Sequence, residues 1–209
     1  MMTEKIFEQG YTTETYLKNL RNYRAFVRRL TDTARASDGH VEKLERLRAM
    51  HPQPLRATMM SEDWCGDSAC NLPVLADFFH RAGIELRILR GSEHPKVRQA
   101  YEREGADHIP VVSLWDGSWN ELLRWIEAPQ AVAEKKDAWK SEHPEFGELY
   151  SKQKTDRSAA KEFAALYRRF LEAMADWYRS GLWEETTREI IELLEQRTGT
   201  QAGAGADSP

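Results

Sequence analysis

The stretch MMSEDWCGDSACNLPVL, residues 59–75, holds the only two cysteines of the 209-residue chain, Cys65 and Cys70. Thiols this close together suggest dithiol redox chemistry, but a spacing of five argues against a working pair. On an α-helix, positions five apart have Cα atoms about 8.6 Å apart, pointing ~140° away from each other. A disulfide needs Cα atoms within about 6.8 Å. An intact helix from Cys65 onward therefore cannot close a Cys65–Cys70 bond unless its first turn unwinds. Pro73 eases that unwinding, because it leaves the carbonyl of Ala69 without its normal helical donor. Cys70 then has two readings, a small buried apolar residue or a resolving thiol.

Cys65 is the candidate nucleophile. At the start of a helix a thiol faces unpaired backbone N–H groups and the positive end of the helix dipole, and both favour thiolate. Trp64 supplies an apolar flank and Gly66 lets a substrate approach. Asp67 opposes ionisation, since its charge competes for the same N–H groups and raises the thiol pKa. Other chemistries are weaker. Cys-x₄-Cys is a poor zinc spacing and the six histidines are scattered, so no metal is expected. There is no phosphate-binding glycine loop and no Ser-His-acid order.

The elements that must position these residues follow from hydrophobic periodicity. Residues 13–36 carry a helical stripe of Tyr16, Leu17, Leu20, Tyr23, Phe26, Val27 and Leu30. HVEKLERLRAM is a second helix and LRATMM a short buried strand. A helix from Gly66 runs to a stop at Gly83. IELRILR alternates as a strand with one covered face, and HPKVRQAYEREG is a helix ended by Gly105. IPVVSLW and WNELLRWI are two strands joined by a two-residue turn at Asp116-Gly117. Trp115, Trp119 and Trp125 share one alternation phase and are expected to be mostly buried. A helix from Pro129 to about residue 140 leads into an irregular, charged stretch. The charge-rich segment 133–162 reads as a solvated surface. Two amphipathic helices follow, one from Phe163 to Tyr178 and one from Leu182 to Leu194.

The result is an α/β fold, a small mixed sheet flanked by helices, with helices added at both ends. One domain is expected over 1–196, with a core at about 53–140, helical extensions at 13–50 and 157–196, and a disordered tail over 197–209. At 41% hydrophobic and 31% charged the composition is globular, and a formal charge of -4 gives no pull toward nucleic acid or an anionic membrane. No apolar run is long enough to cross a bilayer, and MMTEKIFEQG lacks the apolar core of a secretory signal. Two cysteines do not make a disulfide scaffold, so a cytoplasmic protein with reduced thiols is expected.

The central residues resemble the thioredoxin superfamily. Trp64-Cys65-Gly66 stands at the end of the first core strand, where that family carries its nucleophilic cysteine. Pro73 lies eight residues beyond Cys65, at the offset of the family's kinking proline. Ile109-Pro110-Val111 opens a strand where the family places its cis-proline beside the catalytic cysteine. The resemblance covers roughly residues 53–140, and Trp-Cys-Gly-Asp with added terminal helices is similar to a less characterised thioredoxin-like branch. Three departures matter. The family's resolving cysteine falls at Ser68, its intervening proline at Asp67, and its buried acid at Met59.

The resemblance implies a thiol–disulfide oxidoreductase in thiol redox homeostasis that acts mainly through Cys65. Ser68 would hydrogen-bond the thiolate without resolving an intermediate, leaving that step to an external thiol or to Cys70. Trp64, Gly66, Asp67, His108, Ile109 and Pro110 would bind substrate, and a protonated His108 would offset Asp67. Partners would be disulfide- or thiol-bearing proteins or low-molecular-weight thiols, with glutathione as co-substrate and no resident cofactor. The alternative is a redox-weak binding module that holds a protein partner in the cis-proline groove.

Overall fold

The computed structural model describes residues 2–204. Its elements in chain order are α1 (Glu4–Gln9), α2 (Thr13–Asn19), α3 (Arg24–Thr31), α4 (Asp38–Ala49), β1 (Arg56–Ser61), α5 (Gly66–Arg81), β2 (Glu85–Arg90), α6 (Pro95–Arg103), β3 (Val111–Trp115) and β4 (Glu121–Ile126). Next come α7 (Gln130–Glu142), α8 (Glu145–Lys152), α9 (Arg157–Trp177), an irregular turn at Tyr178–Leu182, and α10 (Trp183–Ala204). The chain divides into two compact units, Met1–Ala128 with Trp183–Pro209 and Pro129–Leu182. Helix α10 continues to Ala204, past the point where a disordered tail was expected. The rest of that expectation, residues 205–209, lies outside the described residues.

In the first unit four strands form a mixed sheet in the order β2-β1-β3-β4. β1 runs parallel to β2 and antiparallel to β3, and β3 and β4 are antiparallel. The register sets Met60 against Leu89 and Val111, on a face packed with Val97, Tyr101 and Trp115. Met59 pairs with Ile88 and Val112 on the opposite face. Val112 faces Trp125 whereas Trp115 faces Glu121. The two tryptophans are both buried, yet they point to opposite sides of the sheet and do not share one phase.

The hairpin between β3 and β4 is longer than a two-residue turn. The Asp116 carboxylate accepts from the amides of Ser118 at 2.8 Å and Asn120 at 2.9 Å. These bonds draw the whole stretch into an Asx-type loop. Trp119 sits in the loop with a left-handed φ of 64°.

The N-terminal stripe breaks into two helices. Asn19 donates its side-chain amide to the Thr15 carbonyl at the end of α2, and the backbone N–H of Arg21 goes to Asp63 at 3.0 Å. Tyr23 then enters α3 from a left-handed conformation. A tertiary bond has replaced the helical one at the place where continuous periodicity predicts an unbroken helix.

The second unit holds α7, α8 and α9. The irregular stretch expected after residue 140 is instead helical, because Phe146 and Tyr150 are one turn apart on α8. Both rings pack on Phe163, at centroid distances of 5.3 Å and 5.6 Å. The surrounding charges hide this pair in the sequence. Among the described residues no helix is long and apolar enough to cross a membrane.

Candidate functional site

β1 ends at Ser61, and a turn through Glu62, Asp63 and Trp64 delivers Cys65 as the N-cap of α5. The Cys65 amide donates back to the Glu62 carbonyl at 3.0 Å and closes the turn. Its own carbonyl accepts from Ala69 at 3.0 Å, which begins the helix. The thiol takes the place a serine or aspartate oxygen commonly fills. Sγ accepts from the Ser68 amide at 3.4 Å. On its other side the thiol donates to the Ile109 carbonyl at 3.3 Å. The Ile109–Pro110 peptide bond is cis.

Cys65 is only 7% exposed. A void of about 10 Å³ beside it is lined by Tyr16, Leu20 and Val27, from α2, its end and α3, together with Asp63, Ser68 and Leu72. Burial pushes the thiol pKa up to about 11, and the Asp67 carboxylate adds to the rise. Ser68 acts against them. Its hydroxyl is buried and makes no hydrogen bond, yet it stands close enough to the sulfur to favour thiolate, as do the amides of Ser68 and Asp67.

Cys70 is fully buried one and a half turns along α5. Both cysteines are free thiols, and the unbroken helix from Gly66 keeps them apart. Pro73 lies inside α5 as expected, and α10 braces the helix just before it. The Trp183 indole donates to the Cys70 carbonyl at 2.9 Å, and Thr186 donates to the Asn71 side-chain oxygen at 2.8 Å.

The remaining expected residues are partly gathered. Gly66 is buried as the first residue of α5, whereas Trp64 is 57% exposed. Trp64 and Ile109 line one cleft of about 70 Å³ with Met60, Glu62, Arg98 and Tyr101. His108 is not drawn into this group. Its imidazole is solvent-exposed and pairs with Asp107 at 2.7 Å, holding the Asp107 carboxyl below its usual range. His108 is not among the groups that shift Cys65.

One part of the site escaped the sequence reading. Asp63, two residues before Cys65, forms a buried ion pair with Arg90 at the end of β2, at 2.8 Å. The Arg90 guanidinium also donates to the Asn19 carbonyl at 3.0 Å and to Glu93 at 3.2 Å. It stacks over Tyr11 and Tyr16 at 4.6 Å and 5.1 Å. Burial works to lower its pKa, but Asp63 and Glu93 outweigh that and hold it above the ordinary arginine value. The network fastens the end of α2 to the turn that carries Trp64 and Cys65. Its only trace in the sequence is an arginine closing the apolar run of β2.

Two solved structures share this fold. A Pseudomonas aeruginosa protein of unknown function, determined at 1.5 Å, matches with a TM-score of 0.59 and 19% identity, over 94% of this chain and 99% of that one. A HIV epitope-scaffold matches with a TM-score of 0.60 and 19% identity over the same shares. No curated protein matches the sequence. The family model described as Thioredoxin matches residues 10–140, more than half of the chain. With its cysteine-capped helix on a four-stranded mixed sheet, the chain belongs to the thioredoxin family.

Proposed function

We propose that the protein carries out thiol–disulfide exchange through Cys65 alone, as a one-cysteine oxidoreductase of a reducing compartment. The observation that carries this reading is the setting of Sγ, held between the Ser68 amide and the Ile109 carbonyl at the start of α5. In the first step the Cys65 thiol loses its proton to solvent and the thiolate attacks one sulfur of a substrate disulfide. A bond forms between Sγ and that sulfur, the substrate S–S bond breaks, and the second sulfur leaves with the electron pair and takes up a proton. The helix-terminal N–H of Ser68 stabilises the thiolate before attack. An external thiol such as glutathione then attacks Sγ of the mixed disulfide, so that the substrate sulfur leaves with the electron pair and takes up a proton. A second glutathione attacks the resulting Cys65–glutathione disulfide, freeing the Cys65 thiolate and leaving as oxidised glutathione.

Ser68 has no sulfur to displace the substrate, and Cys70 is buried on an intact helix, so the resolving thiol comes from outside. Trp64 and Ile109, which share a cleft, are the surfaces that a disulfide-bearing segment would meet. Turnover of a small model disulfide with glutathione as reductant tests the reading. Wild type and Cys70→Ser should turn over alike and Cys65→Ser should not. Turnover that depends on Cys70 would sink the one-cysteine scheme.

A second reading has its own support. The burial of Cys65 and its pKa of about 11 leave only about one thiol in ten thousand ionised at pH 7. A binding module that keeps the groove and does slow chemistry has no need of a low thiol pKa. In that case partner capture would persist in Cys65→Ser, and the turnover assay would give the rate of the buffer alone.

A further inference from the structure

We propose that the cleft beside Trp64 selects disulfide substrates that carry a lysine or arginine next to the reacting cysteine. The inference rests on the oxidoreductase reading, since it names the substrate class of that same site. The apolar part of the cleft is Met60, Tyr101 and Val111, which belong to one buried core cluster. Its charged lining is Glu62, Glu102, Asp107 and Arg98. Arg98, the one cation of that lining, is already paired with Glu102 at 2.8 Å. Two carboxylates remain. Glu62 accepts from the amide of Ser92 at 2.6 Å and from its hydroxyl at 3.2 Å, and it makes no ion pair among the described residues. Such bonds fix a carboxylate in place and leave its charge standing. Asp107 meets the His108 ring at 2.7 Å, and that ring carries charge only when protonated.

Trp64 adds an independent reason for a cation. Its ring is 57% exposed and lines the same cleft, and an indole face attracts an ammonium or a guanidinium. A lysine or arginine side chain matches both parts of the lining, with its aliphatic stem on the apolar residues and its head at the carboxylates. Gly91 keeps the space open. A Cβ there would stand 3.4 Å from the Glu62 carboxylate, 3.4 Å from the Met60 sulfur and 3.1 Å from the Arg98 side chain. At about 70 Å³ the cleft takes a single side chain. Trp64 directly precedes Cys65, and the Ile109 carbonyl, on the cleft's other side of the chain, accepts from the thiol. A side chain seated here therefore belongs to a residue close to the attacked cysteine.

Disulfide-linked dimers of short peptides test it, with lysine, glutamine or glutamate on both sides of the cysteine, each reacted with the full chain at pH 8. The Cys65 thiolate attacks one sulfur, the other peptide leaves as its thiol, and mass spectrometry follows the mixed disulfide. At low salt the lysine peptide should react about tenfold faster than the glutamate peptide, with glutamine between them, and the ratio should shrink as salt rises. Glu62→Gln/Asp107→Asn should lower that ratio by about threefold or more. Asp107→Asn alone serves if the double variant fails to fold, and circular dichroism checks both. A ratio near one, a ratio that salt does not change, or the same ratio in wild type and variants would overturn the charge selection alone. No reaction of any peptide at Cys65 would overturn the oxidoreductase reading and the selection with it.

Discussion

The backbone amide of Ser68 donates to Sγ of Cys65 at 3.4 Å, so the candidate nucleophile is also the cap of its own helix. Chemistry and stability therefore meet in one side chain, and substitutions at Cys65 can be chosen to separate them. Serine is a strong N-cap and alanine a poor one. Cys65→Ser should keep the stability of wild type within about 1 kcal/mol while removing the thiol. Cys65→Ala should cost about 1 kcal/mol more than Cys65→Ser, from the lost cap. Urea unfolding followed by circular dichroism separates the two, and equal midpoints would show that the cap bond contributes nothing.

The raised thiol pKa sets a pH dependence with a definite sign. The folded chain holds the Cys65 proton up to about pH 11, whereas the unfolded chain releases it near the ordinary thiol value of about 8.5. Between those values the folded state binds more protons, so stability falls as pH rises through the window. Cys65→Ser should lack that component. Alkylation of Cys65 should speed up about tenfold per pH unit across the same range. Asp67→Asn should bring the pKa down and raise the rate at pH 8 by about two- to tenfold. A rate already flat at pH 8 would show that the thiol is ionised near neutrality after all.

The Asp63–Arg90 pair is buried on both sides, with side chains 8% and 4% exposed. Removing one partner strands the other. Asp63→Asn or Arg90→Met should each destabilise by about 3 kcal/mol, and the double variant by less than the sum. Thermal melts of the four proteins complete the cycle. Additive losses would mean that the two side chains do not depend on each other.

Position 68 tests the geometry of the missing pair. Helical positions three apart have Cα atoms about 5 Å apart, within disulfide range. Ser68→Cys should therefore form an internal disulfide with Cys65 under mild oxidation, detected as the loss of two free thiols. The Ser68 hydroxyl is buried without a hydrogen bond, and its influence on the Cys65 thiol is what the new sulfur would replace. A variant that keeps all of its thiols reduced would contradict the placement of residue 68 against Sγ.

The core of the fold was legible because it rests on local signals. Period-two and period-3.6 patterns gave all four strands and the helices that cover them. The Cys65 cap and the mid-helix Pro73 were readable because backbone chemistry restricts what stands there. The misses share a different cause. The break at Arg21 depends on a bond to Asp63, forty-two residues away, and the Asp63–Arg90 pair joins the turn after β1 to the end of β2. The hairpin lengthened because the Asp116 side chain captured amides that the dipeptide signal ignores. The brace of Trp183 on the Cys70 carbonyl joins residues 113 apart. Hydrophobic periodicity carries no record of such distant polar pairings. The same applies to the burial of Cys65, where Tyr16, Leu20 and Val27 from far earlier in the chain share a small void with the thiol.

The central claim is that Cys65 forms mixed disulfides while Cys70 takes no part. Equilibration with oxidised and reduced glutathione, followed by peptide mapping by mass spectrometry, tests it most directly. Glutathione on Cys65 alone, with Cys70 unmodified and no internal bridge, is the expected result. A Cys65–Cys70 disulfide, or no modification of Cys65 at any ratio, would contradict the account.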